Sequence, residues 1–168
     1  MKERGFDPVA ALRILVAHKV DFVLIGGIAA RLWGSPTVTR DLDICYARGP
    51  ANLERLAAAL KEMRAKLRGV KEEVPFRIDA RTLAAGDHFT FKSDVGDVDC
   101  LGTPTGTGGH EDLRASAERM DVDGLKVWVT SLADLIEMKR AAGRPKDRIE
   151  VEILGAVRDE RGQRRRRG

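Results

Sequence analysis

Two short clusters in this chain have residue types and spacing suited to chemistry. Gly26 and Gly27 follow the apolar run Phe22-Val-Leu-Ile25, and Asp41-Leu-Asp43-Ile-Cys-Tyr46 comes one helix-sized interval later. A four-residue apolar run suits a buried strand. A glycine pair behind it is a turn where backbone can approach a ligand and offer free N–H groups to an anion. If Asp41 to Tyr46 is a strand, alternation puts Asp41 and Asp43 on one face and Leu42 and Ile44 on the other. The two carboxylates then lie roughly 6–7 Å apart, where they repel unless water or a cation lies between them. Hard oxygens of this kind suit Mg²⁺, which keeps some waters and takes further oxygens from substrate phosphates. Alone, a Gly-Gly turn or a wet Asp-x-Asp face is commonplace. In this order, with a short helix over Ile28 to Trp33 between them, they describe a phosphate cradle beside a metal site.

A second acidic strand follows later. Asp87 to Lys92 alternates, Ser93-Asp-Val-Gly96 makes a tight connection, and Asp97-Val-Asp-Cys-Leu101 begins a new strand. The pattern predicts a hairpin with Asp97 and Asp99 on one face.

The run Gly-Gly-Ile-Ala…Thr-Arg-Asp-Leu-Asp-Ile resembles the signature of the nucleotidyltransferase superfamily of the DNA polymerase β type. It is most similar to small bacterial members, among them the toxins of AbiE-type pairs and the aminoglycoside- and lincosamide-modifying enzymes. The likeness is tight over about 25 residues and looser to about residue 154. It implies a mixed central β-sheet flanked by helices, an α/β (α+β) fold. It also implies transfer of a nucleoside monophosphate from a nucleoside triphosphate to a hydroxyl on RNA, protein or a small molecule, with one or two Mg²⁺. Asp41 and Asp43 would be metal ligands, and the third carboxylate falls on Asp99, with Asp97 as the alternative. Gly26 and Gly27 would meet the phosphates, with Arg40 beside Asp41. A string near the C-terminus, Leu-Ala-Asp-Leu-Ile-Glu-Met-Lys-Arg-Ala-Ala-Gly-Arg-Pro-Lys-Asp, is similar to the matching region of the same enzymes. It places Lys139, Lys146 and Asp147 near the triphosphate. The chain departs from the pattern at Ile28, where relatives carry Ser or Thr, and at Thr37, where they often carry Arg. It also leaves little room for a separate acceptor-binding domain. A tRNA end, a protein hydroxyl and a small molecule stay open as acceptors, and an antitoxin is an expected partner.

These residues need elements to hold them. Asp7-Pro8 caps a first helix. Ala51 to Leu67 reads as an amphipathic helix, with Leu53, Leu56, Leu60, Met63 and Leu67 on one side. Val74 to Ile78 suggests a short edge strand, because Pro75 cannot sit in a central ladder. Gly102 to Gly109 is a flexible loop, and it lacks the Gly-Lys-Ser/Thr of a P-loop. His110 to Met120 suggests a helix. Asp123-Gly124 turns a hairpin between Val122 and Leu125 to Val129. Thr130-Ser131 caps a helix from Leu132 to Ala142, and a last helix runs from Pro145 to about Val157.

Bulk properties narrow the class. The 168 residues suit one domain, expected over 1–157, with a basic and disordered tail over 158–168. The tail holds six arginines against Asp159 and Glu160, so it accounts for the whole net charge of +4. It reads as a solvated tail or as a phosphate-binding arm. No apolar run approaches a membrane span. With Cys45 and Cys100 too few for a disulfide framework, a cytoplasmic setting is expected. Cys45, Cys100, His18, His88 and His110 are too scattered for a zinc site. Two rival functions remain: a catalytically inactive protein of the same fold that binds nucleotide, RNA or a partner, and a Mg²⁺-dependent phosphohydrolase.

Overall fold

A computed structural model describes residues 5–70 and 76–168. In chain order the elements are α1 (Pro8–Ala17), β1 (Phe22–Ile25), α2 (Gly26–Trp33), β2 (Asp41–Tyr46), α3 (Pro50–Glu62), β3 (Lys66–Leu67), α4 (Ala80–Ala85), β4 (His88–Ser93), β5 (Gly96–Leu101), α5 (His110–Ser116), β6 (Glu118–Val122), β7 (Leu125–Val129), α6 (Leu132–Ala142) and α7 (Pro145–Arg167). The strands form one mixed sheet in the order β3-β4-β5-β2-β1-β7-β6. β1 pairs antiparallel with β2 and parallel with β7, and β2 pairs parallel with β5.

β1 is apolar because both its faces are covered. All four residues of β1 are buried. On β2, Leu42 and Ile44 are fully buried, each worth about 1.5–3 kcal/mol. They alternate with the half-buried Asp41 and Asp43. α1 contacts α3, β2 and β7, and α2, α6 and α7 contact one another. Trp33 closes α2 and donates its indole N–H to the Thr130 carbonyl at 2.9 Å, which ties α2 to the start of α6.

Four expectations change. α3 ends at Glu62, not Leu67, because Arg64 takes a left-handed conformation (φ 56°) and the chain turns into β3. The apolar spacing had run on through the turn because Met63 remains in the core. α5 ends at Ser116, so Met120 belongs to β6. The edge strand over 74–78 lies partly outside the described residues, and residues 76–78 are not in a strand. Finally, the stretch expected to be a disordered tail is helical, since α7 continues to Arg167. Arg, Glu and Gln are good helix formers. Arg164 pairs with Glu160 at 2.8 Å, and Arg161 lies over the Trp33 ring at 4.8 Å.

Candidate active site

The parallel register of β2 and β5 puts Asp41 opposite Asp97 and Asp43 opposite Asp99. Four carboxylates thus occupy two neighbouring rungs on one face of the sheet. The next rung partners on β4 are Lys92 beside Asp97 and Thr90 beside Asp99. Alternation put each pair of acids on one face and the family resemblance picked out Asp99, but pairing across strands is what gathers them.

Such a square is electrostatically strained, and Asp43 bears most of the strain. Burial, then the charges of Asp99 and Asp41, push its carboxyl from the ordinary 3.8 up to about 7, with Lys139 pulling the other way. Burial raises Asp99 as well, and Arg68 and a hydrogen bond from Asp43 oppose that rise. Both carboxyls therefore bind a proton more tightly than free ones do.

The glycine corner abuts this square. Gly26 opens α2 with φ 70°, and a Cβ there would lie 2.1 Å from Asp43 Oδ2. A Cβ on Gly27 would lie 2.7 Å from the Thr39 side chain. Only glycine lets the helix start approach β2 so closely. Among the described residues no side chain caps α2, which leaves its first N–H groups to face an anion.

The third wall comes from α6 and α7. Asp147 is fully buried and accepts hydrogen bonds from Arg144 N (3.2 Å), Nε (2.6 Å) and Nη2 (3.3 Å), and Lys139 Nζ lies 3.7 Å away. Burial raises the Asp147 carboxyl, but the Arg144 bonds and charge outweigh it and hold it below the usual carboxylate range. The loop between α2 and β2 is tied to α7 by Ser35 Oγ and Thr37 Oγ1, which donate to the Glu150 carboxylate at 2.9 and 2.7 Å.

Between these walls lies a cleft of about 290 Å³, lined by Gly27, Thr37, Val38, Thr39, Asp41, Asp43, His88, Asp99, Lys139, Arg144, Lys146, Asp147 and Glu150, with Leu101. A second cavity of about 290 Å³ shares Asp43, Asp99's neighbour Leu101, Lys139 and Arg144, and adds Gly26, Pro104 and Thr105. The 102–109 loop is not free: Thr103 bonds Asp87, and Thr107 bonds the Pro104 carbonyl. The structure thus brings together Gly26, Gly27, Asp41, Asp43, Asp99, Lys139, Lys146 and Asp147. Arg40 is exposed and does not line the cleft. Asp97 also stays outside it and turns to Arg68. Sequence reasoning missed Arg144, Glu150, His88 and Arg68. Arg144 stood within the quoted C-terminal string, but nothing local marked the others. Cys45 is fully buried, and that burial pushes its thiol up to about 12.

Among the described residues, no three His, Cys, Asp or Glu side chains are close enough to cage a metal unaided. Arg68 occupies that ground, with its guanidinium 3.0 Å from Asp99 and 3.7 Å from Asp41. The donor chemistry nonetheless fits a hard divalent cation. Asp43 is short of positive charge, its neighbours are carboxylates, and the cleft leaves room for the waters and phosphate oxygens that complete such a shell.

No family model matches this chain, and no curated protein matches it in sequence. Solved structures do match its fold, an adenylyltransferase among them. The lincosamide antibiotic adenylyltransferase LnuA, solved with lincomycin bound, aligns with a TM-score of 0.61 at 14% identity, over 89% of this chain and 95% of that one. ANT(2'')-Ia in complex with adenylyl-2''-tobramycin aligns with a TM-score of 0.52 at 17% identity, over 91% and 98%. A solution structure of the antibiotic-resistance factor ANT(2'')-Ia gives 0.51 at 15% identity, over 95% of each chain.

Proposed function

We propose that this protein is a Mg²⁺-dependent nucleotidyltransferase that moves a nucleoside monophosphate from a nucleoside triphosphate to a hydroxyl acceptor. One observation carries the reading: Asp41, Asp43 and Asp99 share a cleft with the uncapped start of α2 on one side and Lys139 on another. Asp41, Asp43 and Asp99 would hold one or two Mg²⁺. A bound divalent cation supplies charge neutralisation for the triphosphate and makes the acceptor hydroxyl easier to deprotonate.

The chain's own groups do the rest. The N–H groups at Gly26 and Gly27 hold phosphate oxygens, and the two glycines let them come close. Lys139 and Lys146 neutralise the charge that develops on the departing pyrophosphate. Asp147 holds Lys139 and Arg144 in place without itself meeting substrate. Asp99 accepts the proton of the acceptor hydroxyl. As the acceptor oxygen bonds to the α-phosphorus, the bond to the pyrophosphate oxygen breaks. Such catalysis is mostly positioning and charge stabilisation, so few reactive side chains suffice.

Two structures of similar fold were solved with small molecules, lincomycin and adenylyl-2''-tobramycin, which favours a small-molecule acceptor. A second acceptor class, RNA such as a tRNA end, is favoured by α7. That helix begins in the cleft at Lys146 and ends in Arg164 to Arg167. The role of an AbiE-type toxin with an antitoxin partner rests on the motif resemblance, and growth arrest relieved by a neighbouring regulator checks it. Two buried free thiols suit a cytoplasmic protein, and none of the described helices is long and apolar enough to cross a membrane. Residues 1–157 act as one catalytic unit in this reading.

The test is incubation with Mg²⁺ and labelled nucleoside triphosphates, offering aminoglycosides and lincosamides, total tRNA and protein. Pyrophosphate release with label on one acceptor supports transfer. Inorganic phosphate alone supports a hydrolase. Nucleotide binding with neither product supports an inactive binder.

A further inference from the structure

The acidic square already contains a cation, and it comes from the protein. Arg68 follows β3, three strands from Asp43, and its backbone N–H bonds the Thr90 carbonyl at 2.9 Å. Thr90 is the rung partner of Asp99. The Arg68 side chain therefore reaches across β4 onto the carboxylates. Nη1 donates to Asp97 at 2.9 Å and lies 3.7 Å from Asp41, and Nη2 donates to Asp99 at 3.0 Å. Two of these three carboxylates, Asp41 and Asp99, line the cleft, and Asp97 does not.

We propose that Arg68 is a displaceable counter-ion of the metal site, anchored on Asp97, that a divalent cation must move off Asp41 and Asp99 to bind. The inference rests on the metal-site reading above. Arg68 is a third exposed, so its side chain has solvent to move into. Asp97 gives the fourth carboxylate a purpose that metal ligation does not: it keeps the guanidinium nearby once Asp41 and Asp99 are taken. A guanidinium and a metal competing for the same oxygens lower the affinity of the free protein for the ion. The site then fills best when the cation arrives with triphosphate, whose charge offsets the arginine. Arg68 is thus a positioning residue that sets metal affinity, and among the described residues it is the cation hydrogen-bonded to Asp99.

The test is Mn²⁺ binding without nucleotide, followed by calorimetry and by the loss of free-ion EPR signal. Arg68→Met should bind Mn²⁺ about ten-fold or more tightly than the natural protein, as expected for removing one positive charge 3–4 Å from two ligands. A merely structural arginine would change affinity in the opposite direction, because its loss would disorder the ligands. Equal or weaker binding by a folded Arg68→Met overturns the proposal. Should that variant fail to fold, the Arg68 Nε–H signal in the natural protein, assigned with Arg68→Lys, gives the answer. Mg²⁺ must shift that signal, and an unchanged signal at saturating Mg²⁺ overturns the idea. Asp43→Asn separates the two levels. Loss of Mn²⁺ binding there, with unchanged affinity in Arg68→Met, sinks the counter-ion and spares the metal site. Absence of binding in all three proteins sinks both.

Discussion

Asp43→Asn should make the metal-free protein more stable at slightly alkaline pH while removing its metal site. In the folded protein this carboxyl binds its proton more tightly than in the unfolded chain, rising from 3.8 to about 7. The sign follows directly. The favourable contribution is complete below about pH 4 and is lost as pH rises through about 7. At roughly 1.4 kcal/mol per tenfold change in proton affinity, the ceiling is about 4 kcal/mol. Solvent reaches the neighbouring Asp41, so about 2 kcal/mol is the expected cost at pH 8. Asparagine does not ionise, and its amide can donate to Asp99 as the protonated carboxyl does. In EDTA, the variant should match the natural protein near pH 3 and exceed it by about 2 kcal/mol at pH 8. For a chain of this size that is roughly 4–8 °C in Tm. Thermal and urea unfolding from pH 3 to 8 measures it. Saturating Mg²⁺ should reverse the order at pH 8, because only the natural protein gains from binding. A destabilised variant at pH 8, or a difference that does not vary with pH, refutes the electrostatic argument.

The other predictions concern the walls of the cleft. Gly26→Ala forces a Cβ into Asp43 at a left-handed φ of 70°, and should cost about 2–4 kcal/mol in urea unfolding and abolish Mn²⁺ binding. Asp147→Asn should cost about 2 kcal/mol at pH 7, because Lys139 and Arg144 lose a buried partner. As the folded Asp147 pKa is depressed, that deficit should be full above about pH 5 and shrink as pH falls below about 4. Lys139→Met should lower kcat by about 10²-fold while Mn²⁺ titration shows the metal site intact.

How much of this was legible in the sequence differs by element. The β1–α2–β2 unit could be read because its signals are local: an apolar run, glycines, then alternating acids. Asp7-Pro8 and Ser131 announced α1 and α6 through their caps, and both side chains accept the expected backbone N–H. α3 was read too long because Met63 stays buried beyond the end of the helix, and burial spacing does not reveal a left-handed Arg64. The α7 extension was hidden by a charge run that resembles a disordered tail until Trp33 and Glu160 supply partners. The acids of the candidate site were visible, but their counter-ion was not. Arg68 reaches them across β4, through a strand pairing with no trace in the intervening residues.

The convergence of Asp41, Asp43 and Asp99 on one cation is tested most directly by crystals grown with Mn²⁺ and a non-hydrolysable nucleoside triphosphate. Anomalous density should lie within about 2.3 Å of carboxylate oxygens from Asp43 and at least one of the other two, with phosphate oxygens facing the Gly26–Gly27 turn. Manganese and nucleotide bound elsewhere, with Arg68 still across Asp41 and Asp99, would contradict the account.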